Sequence, residues 1–167
     1  MTSVLLVAPN EWDESAPLPE PLRQGLADAG ATVLARTTCR MLVRQAEALA
    51  PQQVLVWLDD AAALPVLVDA MQVWKAVPPC AIGVAGAPLP GEAQAALVAL
   101  GMHAWAPRDA ALLPGLLVRA QARFAREAAL RTELENLRTR MDERKWVDRA
   151  KGLLMSARGI GEDEAFG

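Results

Sequence analysis

The sequence has no tyrosine, two phenylalanines, two cysteines and a single histidine, His103. It contains no cluster of cysteine and histidine with the spacing of metal ligands, so we expect no metal site. Cys39 and Cys80 lie in apolar segments and are predicted to be buried, reduced thiols, as in a cytoplasmic protein. The sequence also has no glycine-rich loop of the kind that holds phosphates, and we expect no cofactor.

Long apolar runs are missing as well. No stretch approaches the roughly 18–20 apolar residues that span a bilayer. The N-terminus has no basic region ahead of its short apolar run and does not resemble a signal peptide. We therefore expect a cytoplasmic protein without a membrane segment, although hydrophobic residues make up 53% of its 167 residues and suffice for a folded core.

Catalytic patterns are absent too. We find no Ser-His-Asp or Cys-His arrangement and no pair of carboxylates with an enclosing pocket, so the protein is predicted not to be an enzyme. The net charge is −3, but residues 119–151 hold ten basic and six acidic side chains. This segment is typical of a solvated helix of mixed charge, and it also allows a weak preference for polyanions.

Five short apolar runs alternate with helical segments over residues 1–108. The runs are continuously apolar, which is typical of strands covered on both faces and hence of a parallel sheet. The pattern predicts an α/β domain with a five-stranded, flavodoxin-like parallel sheet. The predicted strands are Ser3–Ala8, Thr32–Ala35, Val54–Leu58, Ala81–Ala85 and His103–Trp105. The predicted helices are Leu22–Ala29, a helix capped by Thr38 that runs to Ala50, Leu64–Val77 and Gly91–Leu100.

Single residues in this region receive simple interpretations. Trp57 and Trp74 are predicted to lie in the core. His103 is expected at the surface or half-buried. Trp12 lies in an acidic loop, where packing at an edge is the first interpretation and contact with a partner the second.

From Asp109 the pattern becomes one long helix, predicted from Leu112 to Ser156 and on the order of 65 Å in length. Its apolar residues form two sets with steps of 4, 3 and 4, separated by a break of six residues. A helix of this length extends beyond a domain of this size, so the second set is predicted to pack against the same helix of another chain. We thus expect a coiled-coil linker over residues 109–142 and a homodimer through Leu130, Leu134, Leu137 and Met141.

The last stretch, ERKWVDRAKGLLMSARGIGEDEAF (residues 143–166), is similar to the start of an ANTAR domain, the RNA-binding antitermination module. The similarity rests on the block Arg149–Met155, on Arg158-Gly159, on Glu162 and on Glu164–Phe166. The βα rhythm before it resembles a receiver domain. The whole order resembles the ANTAR-type antitermination response regulators of nitrate assimilation, with residues 143–167 as a partial ANTAR domain whose pattern continues through two more helices.

This resemblance implies partners. It implies structured RNA with two hairpins in a leader as the target, and a ligand-sensing protein as the regulator. Arg149, Lys151 and Arg158 are the nearest candidates for RNA contacts, although solvated surface charge explains them equally well.

The resemblance also implies a phosphorylation site, and most of that site is missing. Receivers use an acidic pair after the first strand, an acceptor aspartate after the third, a hydroxyl after the fourth and a lysine after the fifth, which together hold Mg²⁺ and the phosphoryl group. Here the first strand is followed by Pro9-Asn10, the fourth lacks a hydroxyl and the fifth ends in Pro107-Arg108. Only Asp59 remains, as the phosphoacceptor candidate of a degenerate site. We predict control by a partner instead of phosphorylation. The alternatives are phosphorylation at Asp59 and a dimeric signalling adaptor without RNA binding.

Overall fold

The structure is a computed structural model that describes residues 1–8, 16–59, 61–75 and 77–159, with the side chains of Ala61 and Arg158 excepted. The chain divides into two compact units, Met1–Ala125 and Arg126–Gly167. Trp12 and the stretch from Glu162 to Phe166, which the sequence analysis singled out, lie outside the described residues.

The first unit contains one five-stranded sheet in which all neighbouring strands are parallel. The strand order is β2-β1-β3-β4-β5, so the predicted flavodoxin-like order is confirmed. The strands are β1 (Thr2–Ala8), β2 (Ala31–Thr38), β3 (Gln53–Trp57), β4 (Ala81–Gly86) and β5 (Ala104–Pro107).

Five α-helices follow or connect these strands. They are α1 (Glu20–Asp28), α2 (Leu42–Leu49), α3 (Leu64–Gln72), α4 (Gly91–Ala99) and α5 (Leu113–Arg158). Short 3-10 turns lie at Cys39–Met41, Ala61–Ala63 and Ala110–Leu112. The long helix is thus confirmed, with 46 residues and ends within two residues of the predicted ones.

Two hydrophobic cores lie on opposite faces of the sheet. Leu5 and Val7 of β1 pack into one core, and Val4 and Leu6 pack into the other. Helices α2, α3 and α4 cover the first core, while α1 and the beginning of α5 cover the second. Because both faces of the central strands are buried, their sequences are continuously apolar.

One predicted helix boundary is wrong, and one predicted cap lacks its hydrogen bond. Thr38 stands directly before the 3-10 turn that continues into α2, as predicted, but it is also the last residue of β2, and its side chain makes no capping hydrogen bond. The third helix ends at Gln72 instead of Val77. There the chain leaves the helix in a turn, in which the Trp74 N–H donates to the Met71 carbonyl at 3.2 Å, and this turn brings the indole into the core.

The prediction for His103 is also wrong, because its side chain is only 3% exposed. Its Nδ1 accepts a hydrogen bond from the Ile82 N–H at 3.0 Å, and its ring meets the Phe124 ring edge-on with centroids 5.3 Å apart. Local sequence gave no sign of burial, since the covering group comes from α5, 21 residues further on. Trp57 and Trp74 are buried, as predicted.

Within the described residues, no helix has both the length and the apolar character required to cross a membrane.

Candidate functional sites

The first candidate site lies at the carboxyl edge of the sheet, where receivers place their phosphorylation residues. The ends of three adjacent strands are fixed there by backbone hydrogen bonds. The Leu58 N–H donates to the Ala85 carbonyl at 2.8 Å, and the Arg108 N–H donates to the Gly86 carbonyl at 3.1 Å. These bonds bring Asp59, which follows β3, and Arg108, which follows β5, to the same edge.

Asp59 forms an ion pair with Arg108 through the carboxylate Oδ1 and the guanidinium Nη2. The Arg108 guanidinium carbon also lies 5.3 Å from the centroid of the buried Trp57 ring, within the range of a cation–π interaction. Both charged side chains are about half exposed. The candidate phosphoacceptor is therefore already engaged by a cation from its own chain.

Sequence reasoning missed Arg108. The signal was present, because a cationic residue at the end of β5 is what a receiver supplies to its acceptor aspartate. The sequence has Pro107-Arg108 in the order opposite to the Lys-Pro pattern of receivers, so the cation was not recognised.

The other parts of a phosphorylation site are missing from the described residues. The end of β4 carries no hydroxyl, and a Cβ atom at Gly86 would lie 3.0 Å from the Leu58 Cβ, which leaves little room for a serine or threonine. Throughout the described ranges, no group of three or more His, Cys, Asp or Glu side chains could hold a metal ion. Pro9, Asn10 and Asp60 lie outside those ranges.

Neither of the two cysteine thiols is expected to be reactive. Cys39 and Cys80 are buried and free, as predicted. Burial raises the pKa of each thiol to about 11, because an apolar environment disfavours the thiolate. At neutral pH both remain protonated and poorly nucleophilic.

The second candidate site lies on α5 within the second unit. Leu130, Leu134, Leu137 and Met141, which we name the 130–141 stripe, are 47–61% exposed in the single chain. In an earlier part of the same helix Leu113 and Leu117 are buried in the core on one face of the sheet, and Ala120 is also buried. The apolar side chains of the stripe are therefore accessible to a second chain. Dimerisation through the 130–141 stripe stays a prediction.

Two of the predicted RNA-contact residues lie on different faces of α5. Arg149 and Lys151 are two residues apart on α5, and side chains with that spacing do not face the same way. Arg149 places its guanidinium carbon 5.9 Å from the centroid of the Trp146 ring, which is 68% exposed. Lys151 is half-buried, and Arg158 is the last helical residue. Trp146 next to Arg149 was not among the predicted contacts, although its place in a charged segment was visible in the sequence.

The C-terminal part of the chain matches a known protein family. Residues 135–167 match the ANTAR domain. The match begins inside the 130–141 stripe and includes Arg149, Lys151 and Arg158. Among curated protein sequences, none matches this chain.

Solved structures share the fold of the first unit. The isolated REC domain of RcsB from Salmonella enterica serovar Typhimurium is 12% identical, with a TM-score of 0.51, over 75% of this chain and 96% of that one. The RcsB response regulator of Salmonella typhimurium is 15% identical, with a TM-score of 0.52, over 99% and 96%. A putative pilus assembly-related protein from Burkholderia pseudomallei is 16% identical, with a TM-score of 0.50, over 74% and 91%. At these identities the likeness establishes a receiver-like fold.

Proposed function

We propose that this chain, which joins a receiver-like fold to a segment of the ANTAR domain family, regulates transcription antitermination by binding hairpins in nascent RNA. The observation that carries the proposal is the ANTAR match at residues 135–167 on the same continuous helix that begins against the receiver-like sheet. Structured RNA is recognised through basic side chains, shape and stacking on exposed bases. Arg149 and Lys151 supply basic groups within the matched segment.

The receiver-like unit would act without phosphorylation, through contact with a ligand-sensing protein. Three observations support this mode of control. Asp59 is paired with Arg108, the end of β4 lacks a hydroxyl, and the described residues contain no metal-holding group. A metal ion is what normally neutralises a transferring phosphoryl group. Nitrate assimilation is the process that the resemblance implies, and two free, buried thiols fit a cytoplasmic protein.

A homodimer through the 130–141 stripe would bring two ANTAR segments together. Two segments side by side match a target with two hairpins, because each hairpin can occupy one segment. The support is the exposure of four apolar side chains at coiled-coil spacing on a segment of α5 that is otherwise rich in charged residues.

Titration of a labelled two-hairpin leader RNA at physiological salt tests the proposal. It compares the 167-residue chain with a form extended by the two further helices of the ANTAR pattern. We expect tight binding, sensitive to the loop sequence, by the extended form. The described part of the ANTAR match is a single helix, which offers charge but no fixed pattern of base contacts, so we expect the 167-residue chain to bind RNA more weakly and with stronger dependence on salt than the extended form.

Two variants of the extended form sharpen this test. Arg149→Glu reverses a charge inside the ANTAR match, and we expect it to lower the affinity for RNA. Arg126→Glu makes the same change on the same helix outside the match and serves as the control. If the extended form dimerises but has no affinity for RNA, the antitermination proposal is wrong and the dimeric adaptor replaces it.

A further inference from the structure

We propose that Arg108 is a positioning residue for the long helix. Its ion pair with Asp59 and its contact with the ring of Trp57 form a clamp that holds the start of α5 in one arrangement without a phosphoryl group. We call these three residues the strand-end clamp. The strand-end clamp would be the structural basis of the phosphorylation-independent control that we propose above. The inference rests on that part of the proposed function alone.

The clamp suits the chemistry of its three members. A guanidinium is planar and always charged, so it can pair with a carboxylate while it lies over an aromatic ring. Trp57 is the last residue of β3 and is buried, which fixes the position of its ring. Asp59 follows two residues later. Arg108 is thus held by two groups from the end of β3, although it follows β5.

The segment between Arg108 and α5 has defined hydrogen bonds of its own. The Asp109 Oδ1 accepts a hydrogen bond from the Ala111 N–H at 2.9 Å, and its carbonyl accepts one from the Leu112 N–H at 3.0 Å. The 3-10 turn that these bonds form leads directly into Leu113, the first residue of α5. Residues 109–112 link Arg108 to α5, and their hydrogen bonds fix the geometry of this link. The position of Arg108 therefore constrains the position of the first residues of α5.

A second contact fixes this turn from the side of α1. A Cβ atom on Gly25 would overlap the Ala110 carbonyl oxygen, so α1 and the turn are in direct backbone contact. The turn is enclosed by α1 on one side and by the strand-end clamp at its beginning. A substitution at Asp59 or Arg108 should therefore loosen residues 109–117 before it affects the rest of the first unit.

Hydrogen–deuterium exchange of the full chain, followed by mass spectrometry of its peptides, tests the clamp. We expect Arg108→Ala and Asp59→Asn each to increase exchange in peptides covering 109–117 by roughly fivefold, since a half-exposed ion pair and a ring contact together stabilise by only a modest amount. Arg108→Lys retains the charge but loses the planar group, and its exchange should fall between that of the wild type and Arg108→Ala.

The control variant is Glu20→Ala, which breaks the exposed ion pair between Glu20 and Arg23 on α1. It should leave exchange at 109–117 unchanged. The clamp is refuted if Arg108→Ala and Asp59→Asn leave this segment at the wild-type rate, or if they raise exchange equally throughout the first unit. Labelling of Asp59 by acetyl phosphate would contradict the proposed function. The exchange experiment uses unlabelled protein and does not depend on that result, so failure of the clamp and failure of the proposed function are distinguishable.

Discussion

Two parts of one helix carry the same apolar pattern and have opposite environments. In α5 the set that begins at Leu113 and the set that begins at Leu130 both step by 4, 3 and 4 residues. Leu113, Leu117 and Ala120 are at most 4% exposed, whereas every member of the 130–141 stripe is at least 47% exposed. The periodicity of a helix thus predicts that it has an apolar face, and the surroundings decide what covers that face.

The side-chain contacts described in the second part of the helix include local ones between neighbouring turns. Thr132 and Thr139 turn their hydroxyls back to the carbonyls of Ala128 and Glu135, at 3.1 and 3.0 Å. Lys145 pairs with Asp142 at 3.4 Å in an exposed position, where an ion pair contributes little. Because helices in proteins draw most of their stability from packing, we expect this part to be stabilised by a partner surface, whereas Leu113 and Leu117 in the first part already pack in the core of their own unit.

The largest expected effect comes from one substitution made in each part of α5. Leu116 is fully buried against the sheet, where its side chain lies over Gly83, and Leu116→Ala should reduce the free energy of unfolding by about 2–5 kcal/mol. Leu153 is 71% exposed in the single chain, and Leu153→Ala should change the unfolding of the first unit by less than about 0.5 kcal/mol. Urea denaturation followed by the fluorescence of the buried tryptophans measures both. Equal losses of unfolding free energy for the two variants would contradict the difference in packing between the two parts of α5.

A pair of glycine substitutions should give effects of opposite sign. Gly25→Ala places a methyl group against the Ala110 carbonyl oxygen and should destabilise the first unit by about 1–3 kcal/mol. Gly152 in α5 has open space around its Cα, so Gly152→Ala should raise the helicity of the second unit and stabilise it by up to about 1 kcal/mol. Thermal unfolding and far-ultraviolet circular dichroism measure the two changes. A neutral Gly25→Ala would show that α1 and the 3-10 turn are not in close contact.

The buried thiols give a smaller effect that depends on pH. Burial raises the pKa of Cys39 and Cys80 from 9.0 to about 11, so the folded state favours the protonated thiol. The unfolded chain loses these protons first as pH rises, and the stabilisation present below pH 9 is lost between pH 9 and 11, at about 1 kcal/mol per thiol by pH 10. Unfolding by urea at pH 8 and pH 10 measures the loss, and Cys39→Ala with Cys80→Ala should remove this dependence.

Alkylation extends the thiol comparison to the second unit. At pH 8.5 iodoacetamide should react with Cys39 and Cys80 at least roughly tenfold more slowly than with an added Asn136→Cys, which lies on the exposed part of α5. Equal rates at all three positions would contradict the burial of the native thiols.

We expect a small phosphodonor to leave Asp59 unphosphorylated. Incubation of the chain with acetyl phosphate and Mg²⁺ should leave its mass unaltered, since Asp59 is paired with Arg108 and the other receiver residues are missing. Intact-mass spectrometry checks this, with Asp59→Asn as the control for labelling elsewhere. A stoichiometric acylphosphate on the wild type that Asp59→Asn lacks would establish phosphorylation as the control mechanism.

Local sequence predicted most of the fold and less of the sites. Continuous apolar runs located the central strands β1, β3 and β4, because both faces of these strands are buried. The edge strands β2 and β5 were located over only part of their length, because their residues are only partly buried. Contacts between distant segments were not predictable: His103 is covered by Phe124, and Trp74 draws the end of α3 inward. The Asp59–Arg108 pair likewise depends on two strand ends that are 49 residues apart, which no local pattern specifies.

We propose that the second part of α5 packs against a second chain, whereas the first part packs against the sheet of its own chain. Analytical ultracentrifugation of the wild type and of the Leu134→Glu, Leu137→Glu variant tests it most directly, since each leucine should contribute about 1–3 kcal/mol by burial in the dimer. We predict a dimer for the wild type and a monomer for the variant, with the urea transition of the first unit unchanged. A monomeric wild type, or a variant that remains a dimer, would contradict the claim.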